Sequence, residues 1–522
     1  MDDVMTPEIQ DLENRRKILQ QGAGEEAARK RHKIGKMTAR ERVEALLDPG
    51  SFIEIGLWAA QKQTGFEAVD NRDLPGDGVI TGMGTIYNRP VCVYSQDISI
   101  LAGTMGTTHA KKIIRLLEKA LKLKIPVVGI IDSGGVRVQD HVNGDSYNGY
   151  SSMFKLHTIS SGVIPQIALM MGSCVAGAAY SPILHDFVFM VDKSSHMYIA
   201  SPALVKAATS QEYTPEELGG ASVHSKISGC CDVISQNDAE CINDARKLIS
   251  LLPLNNEDKP ERKITEDTAE RRAESLASII PERQNASFNM YKIIENVVDE
   301  GQFFEIKKNF AKNIIVGLAR LDGQSVGIVA NNPMQKAGTL DINSADKEAR
   351  FIRFCDAFNI PLVFFVDTPG YMPGKIQEHG GVIRHGAKVL YAVSEATVPK
   401  ITVYIRKAFG GANPAMCNGP QGADLLLAWP SAEIALMGAD GAVAILYGKE
   451  IAKSKDPKTA RKEKMATYME HFGEQPYHAA GCMRVEEIID PRDTRPMLIK
   501  GLRMMQNKSE DRPFKKHGNI PL

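Results

Sequence analysis

Two stretches of the chain show the same order of apolar runs and amphipathic segments. Residues 127–131 and 362–366 are continuous apolar runs, which is typical of strands covered on both faces of a sheet. Before each run, over 109–122 and 344–358, apolar side chains recur at intervals of three and four residues, which predicts a helix. Each predicted helix leads through an Ile-Pro pair into its strand. The pattern therefore predicts an α/β fold of βαβ units with right-handed crossovers.

The two stretches are parts of an internal duplication. Four segments of the first half match segments of the second half at an offset of 234 or 235 residues, and chance matches would not keep one spacing. We therefore expect two domains, residues 1–262 and 263–522, with their junction in a charge-dense stretch over 255–285. The matched pairs are Gly82–Tyr94 with Gly317–Val329, Ile125–Gly135 with Ile360–Gly370, Val163–Ile167 with Thr397–Ile401, and Cys174–Ala178 with Ala408–Ala412.

The composition narrows the function classes. Lys plus Arg and Asp plus Glu are both 63, so the chain has no basic field for a nucleic acid backbone. The eight cysteines form no CxxC pair, which argues against a structural zinc site and suits a reducing compartment. The acidic N-terminal sequence resembles neither a signal peptide nor a transit peptide, so we expect a cytoplasmic protein. The most apolar stretch, 163–184, predicts a strand, a turn and a helix rather than a membrane span.

Each copy carries a turn of small residues at a predicted strand-to-helix junction, within 174–178 and 408–412. A small residue lets a ligand approach the backbone closely. The first N–H groups of a helix have no internal partner and lie at the positive end of the helix dipole, so two of them can hold an oxyanion. A turn that only permits close helix–strand packing is the alternative for each junction alone. Repetition at one offset favours two oxyanion holes.

A second pair of turns follows the preceding predicted strands, at 132–137 and 367–372. Ligands of open α/β sheets gather at the carboxyl ends of strands, whereas the aspartates that open these turns are best explained as structural caps. The chain lacks nucleophile-elbow, Walker A, HExxH and Rossmann motifs, and no metal site is predicted. It also shows no evident acid–base pair, which suits a reaction that forms enolate-type oxyanions. The candidate substrate-binding residues of these turns are Ser133, Gly134, Gly135, Arg137 and Gly370.

A series of short motifs runs in one order along nearly the whole chain. They include Met37–Val43, Asp132–Gly135, Glu217–Gly220 followed by His224, Asp341–Ser344, Gly380–Lys388 and Lys516–Leu522. Together these motifs make the chain resemble the carboxyltransferase (β) subunit of biotin-dependent acyl-CoA carboxylases, most of all the propionyl-CoA carboxylase type. The resemblance implies tandem crotonase-like (ClpP/crotonase) domains, each a ββα superhelix, which agrees with the duplication.

The chemistry that this resemblance implies needs no acid–base side chain. Carboxybiotin arrives on a separate carrier protein and releases CO2, the biotin enolate takes the α-proton of a short-chain acyl-CoA, and the thioester enolate attacks CO2. Each enolate oxygen needs hydrogen-bond donors, so two oxyanion holes are implied. By resemblance, the catalytic amides are those of Ala176 and Gly177 in the first half and of Gly411 and Ala412 in the second.

The resemblance also implies how the halves are used and which partners are needed. The N-terminal half would hold the acyl-CoA, and the C-terminal half of a neighbouring subunit would hold biotin. The family commonly has an acidic or aliphatic residue at the position of Pro414, which is therefore a candidate substrate-binding residue. Because the chain carries no biotinyl Met-Lys-Met site, separate biotin carboxylase and biotin carboxyl carrier subunits are implied. The family is usually hexameric, and a site shared between subunits demands at least a dimer.

Three other functions stay open at this point. The α subunit of a sodium-pumping, biotin-dependent decarboxylase, such as methylmalonyl-CoA decarboxylase, would use a similar site to remove CO2 from a malonyl-type CoA ester. A crotonase-like hydratase or isomerase would need a pair of acidic residues, which the glycine turns do not show. A non-catalytic scaffold for carrier subunits is disfavoured because Gly177 and Gly411 are both intact.

Overall fold

The computed structural model describes residues 6–61, 64–141, 146–283, 286–472 and 476–522. The chain divides into two compact units, residues 1–259 and 260–522. Each unit is built on one eight-stranded sheet covered by helices. Across the described ranges, we find no helix with both the length and the apolar character that crossing a membrane requires.

The sheet of the first unit has the strand order β1-β2-β3-β4-β5-β6-β8, and β7 also pairs with β5. The first three strands are antiparallel, and the neighbours from β3 onward are parallel. The strands are β1 (Ile53–Glu54), β2 (Val79–Ile86), β3 (Arg89–Gln96), β4 (Val127–Ser133), β5 (Gln166–Val175), β6 (Phe187–Val191), β7 (His196–Tyr198) and β8 (Val233–Ser235).

The predicted helix over 109–122 is present in the first unit as the longer helix α5. Its apolar side chains are buried and pack on β2 and β3, so the periodicity marked the face that the sheet covers. The helices of this unit are α1 (Pro7–Gln20), α2 (Glu25–Lys33), α3 (Ala39–Leu46), α4 (Glu67–Asp70), α5 (Thr107–Leu123), α6 (Val138–His141), α7 (Ser146–Ser160), α8 (Tyr180–Ile183), α9 (Pro202–Thr209), α10 (Pro215–Gly219), α11 (Ala221–Val223) and α12 (Asp238–Ile249).

The second unit repeats this sheet with the order β9-β10-β11-β12-β13-β14-β16, and β15 pairs with β13. The apolar run predicted at 362–366 is the central strand β12, and every one of its residues is buried. The strands are β9 (Phe303–Ile306), β10 (Ile314–Leu321), β11 (Gln324–Asn331), β12 (Leu362–Thr368), β13 (Lys400–Phe409), β14 (Leu425–Ala428), β15 (Glu433–Ala435) and β16 (Glu487–Ile488).

The second unit also contains the helix predicted at 344–358, which begins two residues earlier as α14. Asp341 caps this helix by accepting a hydrogen bond from the Ser344 amide, while the Ser344 hydroxyl accepts from the Asp341 amide. The helices are α13 (Met290–Val297), α14 (Ile342–Ala357), α15 (Lys375–Gly380), α16 (Val382–Glu395), α17 (Ala412–Ala415), α18 (Ala439–Lys453), α19 (Pro457–Phe472), α20 (Pro476–Gly481) and α21 (Thr494–Met504).

The charge-dense stretch predicted to hold the domain junction is irregular over its described part, 255–283. This part contains one 3-10 turn, Glu274–Ser278, and no α-helix. Ala273 and Leu276 are buried in the core of the second unit, so the stretch is not simply exposed. Residues 284 and 285 lie outside the described residues.

The two units neutralise the same buried aspartate in different ways. Asp132 and Asp367 occupy equivalent positions near the ends of β4 and β12, and both are buried. Asp132 accepts from Arg31 at 2.8 Å and from Arg42 at 3.1 Å, both from the segment before the sheet. Asp367 instead pairs with Arg406 of the neighbouring strand β13, at 2.9 Å. These contacts agree with a structural role for the two aspartates.

We expect Arg406→Met to lower the free energy of unfolding of the second unit by about 3–5 kcal/mol, because the Asp367 carboxylate would stay buried without its partner. Trp429 is fully buried in the same unit, so its fluorescence in a Trp58→Phe background can follow urea unfolding of that unit. Arg503→Met is the control, because Arg503 contacts Asp322 at 2.7 Å but remains about half exposed. Equal losses for the two variants would contradict the assigned role of Arg406.

Candidate functional site

The two predicted turns lie at the ends of the equivalent strands β5 and β13. In the first unit, β5 is followed by the 3-10 turn Ala176–Ala179 and then by α8. In the second unit, β13 is followed by Gly410 and Gly411 and then by the single-turn helix α17. Both junctions therefore have the strand, turn and helix that the sequence predicts.

A left-handed residue reverses the chain at each junction. Ala176 has φ 59° and Gly410 has φ 57°, so these two residues are equivalent. The residues that follow, Gly177 and Gly411, are therefore equivalent as well. By this register, the pair predicted in the second unit, Gly411 and Ala412, corresponds to Gly177 and Ala178. The pair predicted in the first unit, Ala176 and Gly177, begins one residue earlier. Gly177 belongs to both possible pairs.

The amides of Gly177 and Gly411 have no acceptor among the described residues, because both precede the first hydrogen-bonded amide of their turn. Both glycines are exposed. A Cβ atom at Gly177 would meet no heavy atom within 4 Å, and one at Gly411 would meet only the Tyr371 ring at 3.8 Å. Gly411 has an ordinary right-handed φ of −65°, so its conformation does not require glycine. The small residues therefore leave open space beside unpaired amides.

The helices after these turns are too short to carry the helix dipole that was expected to favour an oxyanion there. α17 contains four residues, and the first unit has a four-residue 3-10 turn before the four-residue helix α8. A macrodipole needs a longer row of aligned peptides. The capacity of these turns to bind negative charge therefore rests on the unpaired amides themselves.

The turn after β4 is held by hydrogen bonds within the protein. The Ser133 hydroxyl donates to the Gly103 carbonyl at 2.7 Å and accepts from the Gly135 amide at 3.1 Å. Ser133 is fully buried, whereas Gly134 is exposed and its amide donates to the Ala102 carbonyl at 2.9 Å. Of the candidates in this turn, only Gly134 has an accessible surface.

Arg137 has a structural position that differs from the substrate contact predicted for it. It is 1% exposed and forms an ion pair with Asp77 at 2.5 Å. Its guanidinium also donates to the Thr104 carbonyl at 2.8 Å and to the Gln61 side chain at 3.1 Å. These contacts engage its donors inside the first unit. The prediction missed this because Asp77 is sixty residues away in the sequence.

In the second unit, Gly370 follows β12, and Pro414 lies in α17 after the β13 turn. Gly370 has φ 132°, a conformation that residues with a side chain rarely adopt. Its carbonyl accepts a hydrogen bond from the Leu340 amide at 3.0 Å. Pro414 is half-buried and lines a cavity of about 560 Å³. The cavity wall also includes Gly410, Asn413, Leu436 and Glu486.

Two buried histidines of the first unit, His109 and His157, are engaged within the protein and are poorly suited to acid–base work. His109 is fully buried and contacts the Asp77 carbonyl at 3.0 Å, and burial lowers its pKa to about 3. His157 contacts Gln166 at 2.8 Å and Ser181 at 3.0 Å, and burial lowers its pKa to about 4. Over the described ranges, no three His, Cys, Asp or Glu residues are grouped to hold a metal ion.

Two residues of the second unit that the sequence did not single out are Tyr371, beside the second turn, and Glu348 on α14. The Tyr371 ring is the nearest neighbour of Gly411, and Glu348 is completely buried on α14. The signal for Glu348 was available, since this charged residue interrupts the buried face of a helix whose periodicity is otherwise regular.

The fold and these turns define a duplicated α/β protein with one candidate anion-binding turn in each unit. The carboxyl transferase domain model matches residues 30–520. The methylmalonyl-CoA decarboxylase subunit alpha of Propionigenium modestum is 47% identical over 99% of this chain and 100% of its own length. The propionyl-CoA carboxylase carboxyltransferase subunit of Haloferax mediterranei is 46% identical over 99% of this chain and 100% of its own.

A solved structure of transcarboxylase 12S, described as a hexamer with methylmalonyl-coenzyme A bound, superposes with a TM-score of 0.95 at 44% identity, and the match covers 100% of both chains. The chain belongs to the carboxyl transferase domain family. It is a carboxyltransferase, and the predicted fold of tandem crotonase-like domains is confirmed.

We expect Ala176→Gly to raise the free energy of unfolding by up to about 1 kcal/mol, because the left-handed conformation costs alanine more than glycine. The matched variant Gly410→Ala should lower it by roughly 1–2 kcal/mol, and its Cβ would also stand 3.3 Å from the Leu436 carbonyl. Urea midpoints followed by circular dichroism measure both changes. A lower midpoint for Ala176→Gly would show that Ala176 is not strained.

Proposed function

We propose that the chain moves CO2 from carboxybiotin, delivered by a separate carrier protein, to the α carbon of a short-chain acyl-CoA of the propionyl-CoA type. One observation carries this proposal: Gly177 and Gly411 place unpaired amides beside open space at equivalent strand ends. Such amides stabilise negative charge that develops on an oxygen. The names of both relatives refer to acyl-CoA substrates, which supports the substrate class.

In this proposal the amides, rather than side chains, do the catalytic work. Gly177, paired with Ala176, forms the hole of the acyl-CoA side, within residues 1–262. Gly411 and Ala412 form the hole of the biotin side, within residues 263–522. Removing one donor from such a hole typically costs ~3–4 kcal/mol of transition-state stabilisation. The register described above makes Ala178 the other possible partner of Gly177.

The cavity beside Pro414 has the chemistry that a biotin ring needs. Its wall combines apolar Pro414 and Leu436 with polar Asn413 and Glu486, which suits a bicyclic ring with an apolar face and a polar ureido edge. Biotin supplies the carboxyl group when it is bound. The chain's own residues would orient it and shield the Gly411 turn from water. Pro414 offers no side-chain donor or acceptor, so it would act on selectivity through shape.

The partners and assembly are also proposals. We propose that the chain forms a homo-oligomer. A hexamer is the first state to test, because the transcarboxylase 12S structure is a hexamer. Separate biotin carboxylase and biotin carboxyl carrier subunits would supply the activated carboxyl group. The proposed location is cytoplasmic. Size-exclusion chromatography with light scattering and co-purification from the source cell test these statements directly.

The decarboxylase direction is the second candidate, because one relative at 47% identity is a methylmalonyl-CoA decarboxylase subunit alpha. The same two turns would then stabilise the enolate that forms when a malonyl-type ester loses CO2. The partner distinguishes the directions. An ATP-dependent biotin carboxylase would support the carboxylase, and a membrane subunit would support the decarboxylase.

The deciding experiment mixes the purified chain with biotin carboxylase, biotinylated carrier, ATP and bicarbonate, and supplies acyl-CoA esters of two to six carbons. We expect turnover with a short ester. The reverse assay offers a malonyl-type ester with free biotin. Absence of turnover in both assays would refute the proposal, and activity only in the reverse assay would favour the decarboxylase.

We expect Gly411→Pro to lower kcat by roughly 10²–10³-fold with assembly intact, because it deletes one amide donor. The native φ of −65° at Gly411 suits proline at this position. Gly411→Ala is the matched control, since it adds a methyl group and keeps the amide. A similar loss in both variants would assign the effect to the added carbon, and full activity of Gly411→Pro would exclude the oxyanion role.

A further inference from the structure

The carboxyl group of Glu348 is unusual because it is buried without a partner. The residue has no exposed surface, and neither carboxyl oxygen has a hydrogen-bond partner within the described ranges. Its neighbour Lys347 does not neutralise it, because the Lys347 ammonium donates to the carbonyls of Lys307, Phe310 and Ile314 at 2.8–3.0 Å. Burial raises the pKa of Glu348 well above its usual range, which favours the neutral form of this carboxyl.

A second buried polar group lies near it, the Tyr371 hydroxyl. This hydroxyl also has no partner in the part of the chain that the structure describes. Burial raises the pKa of Tyr371, and the second cause is the nearby Glu348 carboxyl. A neutral carboxyl and a phenol can each donate and accept, so the two groups have the chemistry to pair with one another.

Tyr371 occupies the space between a helix and the second glycine turn. A Cβ atom at Gly386 of α16 would stand 3.2 Å from the Tyr371 hydroxyl, and one at Gly411 would stand 3.8 Å from its ring. Gly386 is buried, so the absence of a side chain there makes room for the tyrosine. The Tyr371 ring therefore supports the Gly411 turn from within the second unit.

The backbone ties Tyr371 to the helix that carries Glu348. The Leu340 amide donates to the Gly370 carbonyl at 3.0 Å, and the Met372 amide donates to the Leu340 carbonyl at 2.7 Å. These bonds form a short parallel bridge between Leu340 and Tyr371. Leu340 lies next to Asp341, which caps α14. The position of Tyr371 is thus coupled to the start of α14 through the main chain.

We propose that Tyr371 is a positioning residue for the Gly411 turn and that neutral Glu348 holds its ring in place by pairing with its hydroxyl. The assignment of a catalytic consequence rests on the proposed function. Two buried polar groups that stayed unsatisfied would destabilise the second unit. Apolar residues of similar size would avoid this cost, so their presence beside the turn indicates a specific pairing rather than simple packing.

Hydrogen exchange measured by mass spectrometry tests this proposal without any activity assay. The readout is the peptide covering 411–416, whose Asn413 and Met416 amides donate to Gly410 and Ala412 at 3.2 and 2.9 Å. We expect Glu348→Ala and Tyr371→Phe each to accelerate exchange there roughly threefold or more, with no change in the peptide covering 177–183. The double variant should be no faster than either single one, because both remove the same interaction.

The conservative variant Glu348→Gln should restore exchange to the wild-type rate, because it keeps a neutral group with a donor and an acceptor. Tyr477→Phe is the matched control, since Tyr477 is a 63% exposed tyrosine of the same unit. Unchanged exchange in both single variants would overturn the proposal. Additive effects, faster exchange throughout β12 and β13, or failure of the Gln rescue would also overturn it.

A kinetic experiment separates the failure of this inference from the failure of the proposed function. In the acyl-CoA assay, Tyr371→Ala should lower kcat roughly tenfold or more while the KM for the acyl-CoA stays constant, because a small displacement of a catalytic group slows chemistry. An equal rise in KM would indicate a general structural loss and count against positioning. If the wild type itself shows no turnover, the proposed function fails, and the exchange pattern still decides whether Tyr371 and Glu348 hold the turn.

Discussion

The site proposed in each half of this carboxyltransferase is built on a backbone amide that has no acceptor among the described residues, where a buried strand ends. A left-handed residue at Ala176 or Gly410 reverses the chain just after the strand, so the next amide cannot continue the ladder. The exposed glycines Gly177 and Gly411 follow, and no side chain covers them. Helix-start amides lack an internal acceptor, so these two exposed ones are open to an acceptor from outside the chain, which agrees with the proposed oxyanion role.

The sheets that hold these turns have kept their topology while their interiors have diverged. The buried aspartate before each turn needs a cation, and the first unit supplies Arg31 and Arg42 from its N-terminal segment. The second unit supplies Arg406 from β13 itself. In the first unit the position of Arg406 is held by Gly172, where a Cβ atom would overlap the Asp132 carboxylate. Each unit therefore neutralises its buried aspartate with arginine side chains from a different part of the chain.

Local patterns predicted much of this structure, because sheet strands and amphipathic helices leave a periodic record in the sequence. The helices α5 and α14, the strands β4 and β12, and both glycine turns followed from such patterns. The role of Arg137 did not, because its partner Asp77 is distant in sequence and near only in the fold. Helix length after the turns was also overestimated, since the small residues that suggest a helix start do not say where it ends.

Charge gives a further reason why the buried Glu348 carboxyl of the second unit favours its neutral form. The chemistry proposed there develops negative charge on an oxygen near the Gly411 amide. An ionised Glu348 would repel that charge through the low-dielectric interior, and nothing among the described residues pairs with it. A protonated Glu348 avoids the repulsion and still offers a donor to Tyr371. Burial of the carboxyl and stabilisation of the oxyanion are therefore compatible only while the proton remains on Glu348.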